Sequence, residues 1–328
     1  MPWPRNLSTI HLESEAHLLS DGAFIQEGCA PTDDLLLVAC TVGDDEDNPK
    51  NELVLISSKH RLRFGFEGEA FVSVDWHADG TAFVLGEEGS VIRFTWRDIA
   101  SEKALKQSRE LFENEQAVEA GPMRRIRVVD GVPLCVGSLG QVYSLTDTGF
   151  ESLPPLKIYE DDVTIKDIAG GSLSELVAVT QQGYAARFDG AQWTDLRLPR
   201  RMKLSGVARS TEGVYALVGS GGNLFIGKQD HWTQHRVVER TRDYYGVAVH
   251  DALIYLAHIG GVDVFDGERF EEVTYDDKRG LEFAFLSKGE ACVWSFCGSS
   301  IGRIVNRKWT TLHNRRHHGR SMEAEEPD

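Results

Sequence analysis

The sequence predicts an all-β fold, a single β-propeller of seven four-stranded blades, and three observations point to it. An aromatic residue follows a polar turn at Phe150, Trp193, Trp232, Phe270 and Trp309, at spacings of 43, 39, 38 and 39 residues. A glycine closes a short turn between two apolar runs at Gly89, Gly140, Gly183, Gly222 and Gly261, in nearly the same step, with Gly298 a looser sixth case. Each unit also repeats one internal grammar of four β-rich runs joined by turns, clearest in LSGVA, RSTEG, VYALVG, SGG, NLFIG, KQD and HWTQHRVV. A four-stranded blade cannot bury both faces alone, but it can between two neighbours. Incomplete alternation in VYALVG and NLFIG fits strands covered on both faces. An open β-helix would repeat at about 20–30 residues, and a pair of sandwiches would not hold the phase.

Taken in order, the units fall near 21–66, 71–118, 123–157, 164–199, 204–239, 244–275 and 282–312, in one propeller domain spanning 1–314. The first matches least well. It rests on DGAFIQEGCA, LLLVACT, ELVLISS and HRLRFGF, interrupted by an acidic loop. Residues 6–12 (NLSTIHL) are expected to add a strand to the last blade and latch the ring. Residues 97–120 turn charged and helix-favouring, which widens the step between units two and three. Their first half is expected to be a short helix or ordered loop, and SRELF the outer strand of its blade. The segment reads equally as a tolerated surface insertion and as a protruding contact element. Residues 315–328, RRHHGRSMEAEEPD, have few apolar groups and are expected to be a disordered tail.

The units resemble bacterial propeller repeats of the kelch-like and WD40-like kind. GGVDVFDGERFEEV at 260–273 is similar to the kelch pattern of a double glycine, a strand, a short turn and an aromatic, and Gly221-Gly222 followed by Trp232 repeats it. The period is shorter than a kelch unit, and the Trp-Asp and Gly-His dipeptides of WD40 repeats are missing. The resemblance implies a fold and not a function.

Composition narrows the functional classes. Hydrophobic residues make up 41% of 328, enough for a packed core, and 32 glycines suit many tight turns. A formal net charge of -16 repels phosphate backbones, so no nucleic-acid partner is expected. Such acidity serves solubility or matches a basic partner. The cysteines Cys29, Cys40, Cys135, Cys292 and Cys297 are odd in number and form no CxxC pair. Cys40, Cys135 and Cys292 lie in apolar runs and read as small core residues, which favours a reducing compartment. The N-terminal residues carry no apolar signal core, and no run reaches 18 apolar residues. Cytoplasmic residence without a membrane partner is the expectation.

Signals for catalysis are sparse. Eleven histidines are scattered, without an HExxH, EF-hand or P-loop pattern. GSSIG at 298–302 formally matches GxSxG with Ser300 as nucleophile, but it lies between β runs and lacks the strand-to-helix elbow that exposes such a serine. His258, beside a turn at one end of the ring, reads as a general base or as a turn residue satisfied by backbone. Adjacent His317 and His318 are poor evidence for a metal. Asp44 to Asn48 lacks the ligand spacing and central glycine of a calcium loop. Neither a cofactor nor a metal is expected.

Charge placement is more informative. In a propeller, turns between the second and third strands share one end of the ring with the connections between blades. Those turns hold Asp44, Asp45, Glu46, Asp47, Glu87 and Glu88, and the connections hold Glu67, Glu69, Glu160, Asp161 and Asp162. Later connections carry Arg200, Arg201, Lys203, Arg240 and Arg242. The end is therefore expected to divide into an acidic and a more basic sector. The candidate partner-binding residues are Asp44, Asp45, Glu46, Asp47, Glu87, Glu88, Glu160, Asp161 and Asp162. This predicts a non-catalytic protein-binding propeller, monomeric when free, whose partner is a basic protein. Its specific form would be a cytoplasmic inhibitor or immunity protein for a basic toxin or effector. The alternatives are a lyase or hydrolase working at the central channel and an assembly scaffold in a larger complex.

Overall fold

Four antiparallel strands in simple meander order make each of seven blades in the computed structural model. It describes residues 8–11, 19–20, 23–32, 35–42, 50–57, 61–95, 109–158, 162–236, 242–276, 284–298 and 300–314. Blade 1 comprises Ala23–Thr32, Leu35–Val42, Lys50–Ser57 and Arg61–Glu67. Blade 2 comprises Phe71–Trp76, Thr81–Gly86, Val91–Thr95 and Glu110–Phe112. Blade 3 comprises Met123–Val129, Val132–Gly137, Val142–Thr146 and Gly149–Ser152. Blade 4 comprises Ile165–Ser172, Glu175–Thr180, Ala185–Phe188 and Trp193–Asp195. Blade 5 comprises Leu204–Arg209, Tyr215–Gly219, Asn223–Lys228 and His231–Arg236. Blade 6 comprises Tyr244–His250, Leu253–His258, Gly261–Phe265 and Phe270–Glu272. Blade 7 comprises Ala284–Lys288, Val293–Cys297, Ser300–Val305 and Lys308–Asn314. The innermost strands neighbour one another in chain order, and the seventh returns to the first.

The core is a set of seams between blades. One apolar cluster joins each successive pair, from Leu53, Phe64, Phe71 and Val84 between blades 1 and 2 to Tyr255, Val264, Val293 and Trp309 between blades 6 and 7. Second strands such as Tyr215–Gly219 and Val293–Cys297 are buried at every residue, because both of their faces meet a neighbour. This is why their apolar pattern does not alternate. All five cysteines are free and buried.

The two sequence marks have distinct structural causes. Phe150, Trp193, Trp232, Phe270 and Trp309 all stand first or second in the outermost strand of their blade, paired with Leu145, Phe188, Gly227, Phe265 and Ile304 of the third strand. Gly89, Gly140, Gly183 and Gly222 adopt positive φ between +66° and +102° in the turn between middle strands. In blade 6 the left-handed residue is Gly260 (φ +88°), one place before the Gly261 of the sequence pattern. A third repeat was not read from the sequence. A β-bulge interrupts the innermost strand of blades 1 to 6 just before Glu27, Ser73, Arg125, Asp167, Gly206 and Gly246. A bulge bends a strand and re-aims the side chains beside it.

One expectation needs correction. Residues 8–11 do not latch the last blade; they pair antiparallel with the outermost strand of blade 1, Ser8 opposite Gly65 and His11 opposite Leu62. Blade 7 already has four strands of its own, and Thr274–Tyr275 occupies its outer edge in parallel with Lys308–Asn314. Closure instead rests on the seam of Ile25, Val38, Cys40 and Val54 with Trp294, Phe296 and Ile301, and on Ile25 N–H donating to Gly298 O at 2.8 Å. In the 97–120 segment, Glu110–Phe112 is the outermost strand of blade 2, as read from SRELF. Helix α1 (Glu115–Ala120) follows it in the second half, and the short helix or ordered loop expected in the first half falls outside the described residues. Residues 96–108 lie outside the described residues, as does the tail from 315 to 328.

Candidate protein-binding face

Antiparallel order within each blade puts the turns between middle strands and the connections between blades at one end of the ring. Of the acidic residues expected there, Asp44, Asp45, Glu46, Asp47, Glu160 and Asp161 lie outside the described residues. Glu87, Glu88 and Asp162 are placed at that end, with Glu88 and Asp162 exposed. The Glu87 backbone is fixed on both sides, its N–H donating to Ala70 O and its carbonyl accepting from Met123 N–H, each at 2.8 Å. Its carboxylate meets Arg124 Nη1 at 3.3 Å. The Glu69 carboxylate is turned inward, accepting from the backbone N–H of Glu88 and of Ser90. It caps the blade 2 turn and is not presented outward as a free charge.

Helix α1 extends the acidic sector. Asn114 caps it, with Oδ1 accepting from Ala117 N–H at 3.2 Å, and Ala117 packs onto Gly89 at the turn beside Glu88. Glu113, Glu115 and Glu119 are exposed there. The sequence reading reached these residues as an insertion but did not count their charge. On the far side, Arg200, Arg201 and Lys203 are exposed. The Arg201 guanidinium lies 3.8 Å over the Tyr184 ring, and its Nε donates to Gln182 O at 3.0 Å. Arg242 behaves differently. It is drawn into a cluster with Asp263 at 3.2 Å and Glu272 at 3.7 Å. Arg240 lies outside the described residues.

His258 belongs to that cluster and is only 3% exposed. Its Nδ1 lies 2.8 Å from Ile259 O and its Nε2 lies 2.6 Å from Arg242 Nη1. Nδ1 is therefore the protonated nitrogen and Nε2 the acceptor. Tyr244 donates to Asp263 at 2.8 Å. Burial pushes the Asp263 carboxyl up, but hydrogen bonding from Tyr244 and the charge of Arg242 hold it below the usual range. With both ring nitrogens engaged, His258 organises the blade 6 turn. Ser300 is buried at the first position of a strand that pairs with Val293–Cys297, so no nucleophile elbow forms. His317 and His318 lie outside the described residues.

A charged cluster in the central channel escaped the sequence reading. The residues just after the bulges of blades 1 to 4 are Glu27, Ser73, Arg125 and Asp167, all buried. Glu27 Oε1 meets Arg125 Nη1 at 2.7 Å and Arg127 Nη2 at 3.0 Å. Asp167 Oδ1 meets Arg127 Nε at 3.1 Å. Arg125 reaches across the channel to lie 4.9 Å from the Phe285 ring of blade 7. Burial raises the Glu27 carboxyl, but Arg125 and Arg127 outweigh it and hold it below the ordinary range. Asp75 goes the other way. Burial outweighs Arg127 and pushes it up to about 6. These groups are partnered with one another and join four blades. The available signal was positional: charges at equivalent places in successive innermost strands.

Ring, seams and turn face define the class, a seven-bladed β-propeller. No family model matches the sequence. The chain is 26% identical over 240 residues to the immune protein Tsi7 of Pseudomonas aeruginosa, across 70% of this chain and 75% of that protein. Among solved structures, it is similar to the WD40 β-propeller domain of Doa1, with TM-score 0.66 and 9% identity over 89% of this chain and 94% of that one. It is also similar to YCF48 bound to D1 peptide, with TM-score 0.62 and 14% identity over 93% and 96%. Such low identities establish the fold alone. Among the described residues, no helix is long and apolar enough to cross a membrane.

Proposed function

We propose that this chain is a non-catalytic inhibitor, a cytoplasmic immunity protein that neutralises a basic toxin or effector by covering it with the turn-and-connection end of its ring. The observation that carries this reading is the set of exposed carboxylates from blades 2 and 3, with Glu88 next to the Glu87 that pairs with Arg124, with Glu113, Glu115 and Glu119 at and before helix α1, and with Asp162 in the connection leaving blade 3. The remaining candidates, Asp44, Asp45, Glu46, Asp47, Glu160 and Asp161, belong by sequence to turns and connections of the same end. An acidic surface of this kind raises the rate of encounter with a basic protein and covers groups that would bind an anionic substrate. Likeness to an immune protein along 70% of the chain supports the same reading. So does the peptide bound to a propeller of this fold.

The test couples binding to protection. Tagged protein is used to capture partners from native cells at low and high salt. The expected partner is basic, released by salt, and arrests growth when expressed alone, with growth restored on co-expression of this chain. Reversing Asp44, Asp45, Asp47, Glu87 and Glu88 to lysine should slow association at low salt by about tenfold or more. A harmless or acidic partner, or protection and association indifferent to the reversal, rejects the reading.

A further inference from the structure

Leu139 is the middle residue of the blade 3 turn Ser138–Gly140 and sits at φ +52°, ψ +25°. The equivalent turn of blade 5, Ser220–Gly222, has Gly221 there at φ +71°, ψ +26°, and glycines precede both turns in matching extended conformations. Blade 3 thus holds a branched side chain in the left-handed region that residues with a Cβ avoid. The leucine gains little from the core in return, being 47% exposed.

A second exposed apolar residue stands close by. Val118 on α1 is 60% exposed. The helix exit is tied to the leucine turn, with Ser138 N–H donating to Pro122 O at 3.0 Å and Gln141 Nε2 donating to Gly121 O at 2.8 Å. The helix entry rests on the turn that carries Glu88. Exposed Glu115 and Glu119 sit four residues apart on this helix, a repulsive spacing, and Glu119 lies in the last turn, where a negative charge opposes the helix dipole. Three local choices therefore work against the stability of the fold within one patch. Such departures from local consistency concentrate where another requirement acts.

We propose that Leu139 and Val118 form the apolar anchor of the partner-binding surface, edged by Glu88, Glu115 and Glu119, and that it fits a basic protein segment with an apolar side chain set between lysines or arginines. This rests on the reading of the chain as a binder of a basic protein and adds the part that charge does not supply. Charge speeds encounter, whereas a desolvated apolar centre sets the lifetime of a complex. Acidic edges around an apolar centre exclude an acidic or purely apolar occupant.

The test uses the full chain and three fluorescein-labelled 14-residue peptides, read by fluorescence anisotropy. Two have Lys/Arg flanks and differ only in a central Leu or Ser; the third has the Leu with Glu flanks. The basic Leu peptide should bind about tenfold tighter than the basic Ser peptide, the factor expected from partial burial of one leucine, and the Glu-flanked peptide should not bind. Leu139→Gly and Leu139→Asn, both compatible with the left-handed turn, should erase the Leu/Ser difference without lowering the thermal midpoint. Ile259→Ser, removing another exposed apolar tip on blade 6, should leave it intact. Glu88→Lys with Glu119→Lys should weaken both basic peptides alike and flatten their salt dependence. Equal affinity for the Leu and Ser peptides, or discrimination that survives in Leu139→Gly, overturns the proposal. Peptide discrimination without growth protection would instead remove only the immunity reading, and protection without discrimination only the anchor.

Discussion

At the scale of single residues, the channel cluster sets two carboxylates against each other. Glu27 is held charged by two guanidiniums, whereas Asp75, partly open to the channel, is pushed by burial up to about 6. An aspartate whose folded value is raised contributes stability that is fully present below its unfolded value, near 4, and lost as pH rises through about 6. Glu27 has the opposite sign, and its contribution is lost only as pH falls below the ordinary glutamate range. Between pH 5 and 7.5 the Asp75 effect therefore stands apart from that of Glu27. Urea unfolding should show wild type gaining about 1 kcal/mol relative to Asp75→Asn on acidification across that window, after allowance for partial solvent screening. Parallel profiles for the two proteins would show that Asp75 is ionised normally. The cluster was not read from the sequence, where Arg125, Arg127 and Asp167 look like ordinary strand charges and only their equivalent places in the innermost strands could have signalled it. Their convergence depends on bulges in four separate blades, and a bulge leaves no residue signature.

At the scale of elements, the aromatic mark was legible because it answers a recurrent steric need, a large ring closing the outer edge of each blade. The mark does not have equal worth everywhere. Trp309 is completely buried, its ring tilted against that of Tyr275 with centroids 5.7 Å apart and seated on Gly302, where no Cβ would fit. Trp232 occupies the same position over Gly227 but is half-buried, with its indole N–H donating to Gln229 O at 2.9 Å. Replacing Trp309 with Ala should cost about 3–5 kcal/mol in denaturant unfolding, and Trp232 with Ala about 1–2 kcal/mol. Equal losses would mean that the aromatic is needed for blade formation rather than for the area it buries. The first strand was misplaced for a related reason. NLSTIHL reads as β, but sequence pattern does not say which of two open edges a strand will take. Here Thr274–Tyr275 already covers the edge of blade 7.

At the scale of the molecule, a ring that closes without sharing a strand must close by side-chain packing. The seventh seam then bears the same weight as the other six, although it joins residues more than 250 positions apart, as in the Ala30 N–H to Ser287 Oγ bond at 3.2 Å. Such a contact has the highest loop-closure cost in the fold and gains nothing until the other blades are in place. Phe296 is its centre, completely buried and pressed against Gly28 so closely that a Cβ there would collide with the ring. Phe296→Ala should therefore cost about 3–5 kcal/mol and lower the whole unfolding transition, since a ring that opens at one seam exposes two blade faces at once. Deleting residues 1–11 should leave a single cooperative transition with a small loss, because the strand Ser8–His11 only lines the outer edge of blade 1. Calorimetry of the two variants separates closure by packing from closure by a terminal strand. If the deletion splits the transition and the Phe296 variant does not, the first strand holds the ring and the seam is secondary.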